Sequence, residues 1–343
     1  MKKRLLDIGL LGIFLLLDIS KSAVLSWSHA NKDESHRPSD FNVIFTKDIL
    51  CMLCALMFLT YAFPHSELFV QLRVNKSLFW VYLPISLIFV GSQNSAFAAL
   101  QLVDIGTFKL LVQATTPMTA ILSVFILQKR FTSREIVGII GVLVFAILFS
   151  YAKHTIESSH ALLMGCVYAL IFIVLSSIGG VVSENVLKSQ TQFLSIQYFY
   201  SKAAAVAVSL VIAVFRGSAQ GDFFENFDYR TCLVIVQYGI SGFIVTAITR
   251  SLSSTAKNIT QAASAAVAQL LTIMSMEWMH VSVQSVATTN SNPLVVVFAI
   301  GIIASVVLFH SSSSDSTSYQ TLTQDEDLEL AAAALGKTHS HRI

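Results

Sequence analysis

Charge is what this sequence has least of. Asp, Glu, Lys and Arg make up 12% of its 343 residues, about half the share of an ordinary soluble domain, and that excludes most soluble classes. No basic patch suits nucleic acid, because the lysines and arginines gather at the ends of apolar runs and the net charge is only +2. A Gly-x-x-x-x-Gly-Lys-Ser/Thr loop is missing, so energy from bound ATP is not indicated. So are a nucleophile elbow, a paired-histidine zinc motif and a convincing triad. Of the nine histidines, most, such as His29, His36, His65, His339 and His341, fall between apolar runs or in the C-terminal tail. The four cysteines, Cys51, Cys54, Cys166 and Cys232, lie within or at the edge of apolar runs. Cys51-Met-Leu-Cys54 has the spacing of a redox or zinc half-site, but it has no second half and reads as small packing residues. The chain does not read as an enzyme, and neither a metal nor a bound cofactor is expected.

What is there is apolar surface. Apolar residues reach 54%, in runs of about 18 or more, each long enough to cross a hydrocarbon core of about 30 Å. The first run, after Lys2-Lys3-Arg4, continues past Asp18 and Lys21 to Trp27 without a small-residue cleavage site, so it reads as a retained span rather than a signal. Further spans are predicted at Phe41 to Ala62, Leu78 to Leu100, Gly106 to Gln128, Glu135 to Tyr151, Ala161 to Leu187, Phe193 to Phe215, Thr231 to Leu252, Asn258 to Met279 and Pro293 to Phe309. The expected fold is an all-α polytopic membrane protein of ten helices in residues 1–310. Residues 311–343, rich in serine and carrying Asp325-Glu326-Asp327, bury too little surface to fold and read as a disordered tail.

Lysine and arginine in short loops favour the cytoplasmic side by about threefold when both termini are placed there. Lys129, Arg130, Arg134 and Lys188 are then cytoplasmic, and the glycosylation-type triplets at Asn75 and Asn258 go unused. An echo between Gly138-Ile-Ile-Gly-Val-Leu-Val-Phe and Phe298-Ala-Ile-Gly-Ile-Ile-Ala-Ser hints at duplication, with repeats at about 1–151 and 161–310. Five helices per half give the halves opposite topology, as in many secondary transporters.

Polar residues inside apolar helices are functional candidates. They are Asp48 in the second span; Gln93 and Asn94 in the third; Lys109, Gln113, Thr115 and Thr116 in the fourth; Glu184 in the sixth; Gln197, Tyr198, Tyr200 and Lys202 in the seventh; and Arg250, Lys257, Asn258 and Gln261 beyond. Lys109 and Gln113 share a helix face. Cations suit phosphate oxygens, amides and hydroxyls suit sugar or base edges, and aromatics stack on rings. Together they describe a site for a phosphorylated polar solute. The alternative is that these groups satisfy one another between helices or snorkel to the interface.

Ser92-Gln-Asn-Ser-Ala-Phe-Ala-Ala-Leu, Val103-Asp-Ile-Gly-Thr-Phe108, Gln113-Ala-Thr-Thr-Pro117-Met-Thr119-Ala and Val124-Phe-Ile-Leu-Gln-Lys-Arg-Phe-Thr resemble the nucleotide-sugar transporters of the drug/metabolite transporter superfamily. The branch is that of CMP-sialic acid and UDP-galactose transporters, whose Gly-Val-Tyr-x-Glu-Lys-x-Leu-Lys is similar to Gly180-Val-Val-Ser-Glu184-Asn-Val-Leu-Lys188. The spacing of Gly242, Arg250 and Lys257 also matches.

The resemblance implies an alternating-access antiporter of the Golgi membrane, or of the endoplasmic reticulum as second choice. It would exchange a luminal nucleoside monophosphate for a cytosolic UDP-sugar such as UDP-galactose or UDP-N-acetylglucosamine. The implied partners are these solutes and the lipid bilayer, with no nucleic acid; a homodimer is left open. Carried over by position, Gln93, Phe108 and Lys257 take ligand-facing places, Arg250 keeps the charge of a family lysine, and Asp48 keeps a second-helix glutamate. The expected substrate-binding set is Gln93, Asn94, Phe108, Lys109, Gln113, Thr115, Gln197, Tyr198, Tyr200, Arg250 and Lys257, with Asp48 and Glu184 as helix-packing polar residues. Two departures stand out. The family's fourth-helix lysine is Thr115 here, with Lys109 about 120° away around the helix, and Cys51 replaces its second-helix lysine. They keep open a same-fold transporter of another metabolite or organic anion, and a non-transporting membrane scaffold.

Overall fold

The computed structural model describes residues 9–20, 40–103, 108, 111–153, 160–216, 227–279 and 296–311. Among these, secondary structure is helical and no strand occurs. Lys109, the start of the predicted fourth span, Pro293 and the tail from residue 312 lie outside them.

The helices are α1 (Gly9–Ser20), α2 (Asp40–Ala62), α3 (His65–Val74), α4 (Ser77–Leu100), α5 (Thr115–Leu127), α6 (Ser133–Lys153), α7 (His160–Ser189), α8 (Leu194–Arg216), α9 (Tyr229–Ser251), α10 (Ser254–Met279) and α11 (Val296–Ser311). Five of them, α2, α4, α7, α8 and α9, contain described stretches both long and apolar enough to cross a membrane; α1, α5 and α11 are apolar but shorter among the described residues. The protein is thus a multi-pass membrane protein. α3 is a correction to the sequence expectation, which left residues 63–77 between spans. Glu67, Gln71 and Arg73 break up its apolar run, so hydropathy alone passes over it.

Local chemistry sets several ends. Thr132 and Glu135 close a capping box on α6: the Thr132 amide donates to the Glu135 carboxylate at 2.7 Å and the Glu135 amide donates to Thr132 Oγ1 at 3.3 Å. Asp228 caps α9 by accepting from the Thr231 amide at 2.9 Å. α5 ends at Gln128, whose φ of 52° is left-handed and turns the chain out of the helix.

Large apolar side chains face outward, among them Trp80, Met57, Phe125 and Val307, as lipid-facing surfaces require. The interior is built from small residues. Ala120, Ala146, Ala256, Ala262, Ala263 and Ala299 share one core cluster with Val142 and Phe309, and small residues allow the close backbone approach that replaces hydrophobic drive inside a bilayer. α4 packs on α7 and α8, α2 on α8 and α9, and α5 on α7 and α10. α6 meets α11 where glycines leave room: a Cβ on Gly301 would lie 2.6 Å from the Phe145 ring, Gly141 faces Ser305, and Gly138 faces Phe309. Numbers rise along α6 as they fall along α11, so the two helices run antiparallel.

Candidate functional site

Asp48 is 1% exposed on α2 and is met by two ammonium groups. Lys202 of α8 lies 2.9 Å from Asp48 Oδ1, and its neighbour Lys47 lies 3.5 Å from the same oxygen. Lys47 Nζ also donates to Gln93 Oε1 of α4 at 2.8 Å. Three helices thereby converge on one polar cluster. The lysine side chains keep 11% and 18% of their surface while the carboxylate keeps almost none. At about 1.5 Å per residue, Asp48 and Lys202 each stand about 12 Å into their helices, deep enough to leave the headgroup region.

Helical phase then divides the α8 residues. Tyr198 and Lys202 are four apart and share a face toward α2: Lys202 Nζ sits 5.7 Å from the centre of the Tyr198 ring, and Tyr198 packs with Cys51 and Ala55. The Phe243 ring of α9 meets Tyr198 edge-on at 5.3 Å. Gly242 beside it makes room, since a Cβ there would stand 3.0 Å from the Tyr198 hydroxyl. Gln197 and Tyr200 lie on another face. Gln197 is fully buried, accepts from the Tyr82 hydroxyl at 3.2 Å, and donates to the carbonyls of Gln190 and Gln192 at 3.3 and 3.2 Å. Tyr200 donates to the Leu72 carbonyl. Both thus hold the start of α8 to its surroundings, apart from the Asp48 cluster.

A second polar region joins α5, α7 and α10. Thr115, Thr116, Thr119 and Ser123 are buried along α5. Thr119 accepts from the Asn258 amide at 2.8 Å, and the Thr115 carbonyl from Ser177 Oγ at 3.4 Å. Gln113 and Lys257 are half-buried at the starts of their helices. Phe108 sets its ring 5.6 Å from that of Phe172 on α7, and Asn94 donates back to the Val90 carbonyl at 2.8 Å.

Glu184, fully buried on α7, ties this region to the α9–α10 connection. It accepts from Lys129, from Lys188 at 2.8 Å and from the Ser254 amide at 2.8 Å. Lys188 also donates to the Leu252 carbonyl at 2.6 Å. Burial pushes the Lys129 ammonium below its ordinary value, against the pull of Glu184. The connection held in this way carries Arg250 on one side and Lys257 on the other, and Arg250 lies within electrostatic reach of the Tyr82 hydroxyl.

Lys47 was not singled out in the sequence, and Lys202 was named but left out of the binding set. Lys47 looks there like a local neighbour of Asp48, and only the packing of α2 on α8 shows that two cations share one carboxylate. The four-residue step from Tyr198 to Lys202 was the signal available.

The family model described as "Nucleotide-sugar transporter" matches residues 3–309. A curated relative from Xenopus tropicalis, "Probable UDP-sugar transporter protein SLC35A4", is 23% identical over 166 residues, 46% of this chain and 51% of that protein. The chain thus spans about half the length of that relative. A solved structure described only as "Crystal structure of protein" superposes with a TM-score of 0.61 at 14% identity, covering 88% of this chain and 95% of that one. That likeness is one of fold.

Proposed function

This chain belongs to the nucleotide-sugar transporter family, a family of carriers and not of enzymes, and on that premise we propose that it exchanges a cytosolic nucleotide sugar for a nucleoside monophosphate. The solute would be a UDP-sugar such as UDP-galactose or UDP-N-acetylglucosamine, the membrane that of the Golgi, and the mechanism alternating access. The observation that carries this reading is the Lys47–Asp48–Lys202–Gln93 cluster. Ionisable groups within the bilayer are costly and mark solute pathways, and this one lies where α2 and α4 meet α8.

The proposed architecture is two inverted five-helix repeats, pairing α1 with α7, α2 with α8, α4 with α9, α5 with α10 and α6 with α11. Packing supports it because each contact has a counterpart when the halves are exchanged. α4 on α8 is answered by α9 on α2. α4 on α7 is answered by α9 on α1 through the Gln237–Ser20 hydrogen bond. α5 on α7 is answered by α10 on α1 through Ser264 and Asp18. In the α6–α11 pair, the sequence echo aligns Gly141 with Gly301 and Phe145 with Ser305, so the Gly141–Ser305 approach mirrors the Gly301–Phe145 approach. Substrates of such carriers bind near the midplane, between the repeats.

A second reading, a carrier of another organic anion, is favoured by Thr115 and Cys51 standing where the related transporters carry lysines. A thermal-shift panel on the purified chain separates the two, because a ligand that binds only the folded state raises apparent stability. UMP, CMP or GMP at about 100 times Kd should stabilise by about 2.7 kcal/mol. Stabilisation by none of them, with a response to other organic anions, would establish the second reading.

A further inference from the structure

We infer that Lys47 and Lys202, held together by Asp48, form the subsite that takes the substrate's oxyanion, whether phosphate or the carboxylate of an acidic sugar. The inference rests on the transporter reading and adds a location to it.

Charge is the first argument. Two ammonium groups converge on a single carboxylate, so these three side chains together carry an excess positive charge. In a medium of low dielectric that excess is unfavourable, and an incoming anion relieves it. Purely structural pairing needs one cation per carboxylate and gains nothing from the second.

Access is the second argument. Asp48 is sealed, while both lysines retain some open surface, so the groups left reachable are the ones an anion would contact. Ammonium groups also bring further donors: each has three N–H bonds, and an oxyanion can accept from both lysines at once.

Position is the third. α2 and α8 have the same length, 23 residues, and Asp48 and Lys202 hold the same place counted from each start. If the two helices are repeat partners, their ion pair lies on the axis that relates the halves, which is where an alternating-access carrier holds its solute.

Asp48 then has a definite role. In the empty carrier it neutralises one lysine and fixes both. An arriving oxyanion must compete with it, which keeps binding moderate enough for release on the far side.

The test is equilibrium binding to the full-length protein in lipid nanodiscs. Lys202→Gln and Lys47→Gln each leave a neutral lysine–aspartate pair, so both should fold; if one fails, the other decides. Each variant should bind UMP, CMP or GMP, whichever the wild type prefers, on the order of ten- to a hundredfold more weakly, while the matching nucleoside binds as before. A loss confined to UDP-glucuronic acid relative to UDP-glucose would assign the site to a sugar carboxylate. Variants that bind every probe as the wild type does would overturn the inference. A wild type that binds none of these nucleotides would defeat the nucleotide-sugar reading itself. The cluster would then be judged with inorganic pyrophosphate, where protection of the wild type but not of Lys202→Gln keeps the subsite and an equal response of both removes it.

Discussion

Asp48 contributes a charge whose removal should be felt in opposite ways by the empty and the loaded protein. Asp48→Asn preserves size but leaves Lys47 and Lys202 facing each other. Breaking a buried pair costs about 3–5 kcal/mol, and the lower end applies because both lysines keep some open surface. The ligand-free variant should therefore melt at a markedly lower temperature than the wild type. Nucleoside monophosphate, with its competitor removed, should raise that temperature by more than it does in the wild type. An unchanged melting temperature without ligand would show that the pair is not held as an ion pair. The same residues show how far the sequence can be read at this scale. Asp48 and Gln93 were legible because a polar side chain in an apolar run stands out. Which of them meet was not, because Lys47 joins Gln93 and Lys202 joins Asp48 across helices far apart in the chain. Gln197 and Tyr200 resembled ligand groups in composition, yet their hydrogen bonds run to nearby carbonyls.

Helices were legible wherever a run was long and apolar. Predicted and observed ends of α2, α4, α7, α8 and α9 agree within about two residues, because hydrocarbon thickness fixes the length of a span. α3 escaped for the opposite reason: it is short, and its apolar residues alternate with charged ones. The capping box of α6 was written in Thr132-Ser-Arg-Glu135 but carries no hydropathy signal. Interhelical packing was only hinted at by glycines. At Gly301 the requirement is physical, since a Cβ would enter the Phe145 ring. Gly301→Leu should thus overpack the α6–α11 contact and destabilise by about 1–3 kcal/mol, measured by unfolding in detergent. Gly91 serves as the control, because a Cβ there would find only ordinary contact with Leu175 at 3.6 Å, and Gly91→Ala should lie near wild type. Equal stability of Gly301→Leu and wild type would remove the close approach of α6 and α11.

At the scale of the whole molecule, helices from one half pack mainly on helices from the other: α4 on α7 and α8, α2 on α8 and α9. Relative movement of two such halves would open the space between α2, α4 and α8 to one side of the membrane at a time, which is the requirement of a carrier. Glu184 binds Lys129 of the first half to Ser254 of the second, so that movement has to exchange or carry these bonds. The central claim is exchange, and it is tested most directly in vesicles containing the purified protein and preloaded with UMP, CMP or GMP. At least one of the three should accelerate entry of a labelled nucleotide sugar well above the rate in empty vesicles, and Lys202→Gln should lose that acceleration. Uptake that is the same with every preload as with none would contradict the account.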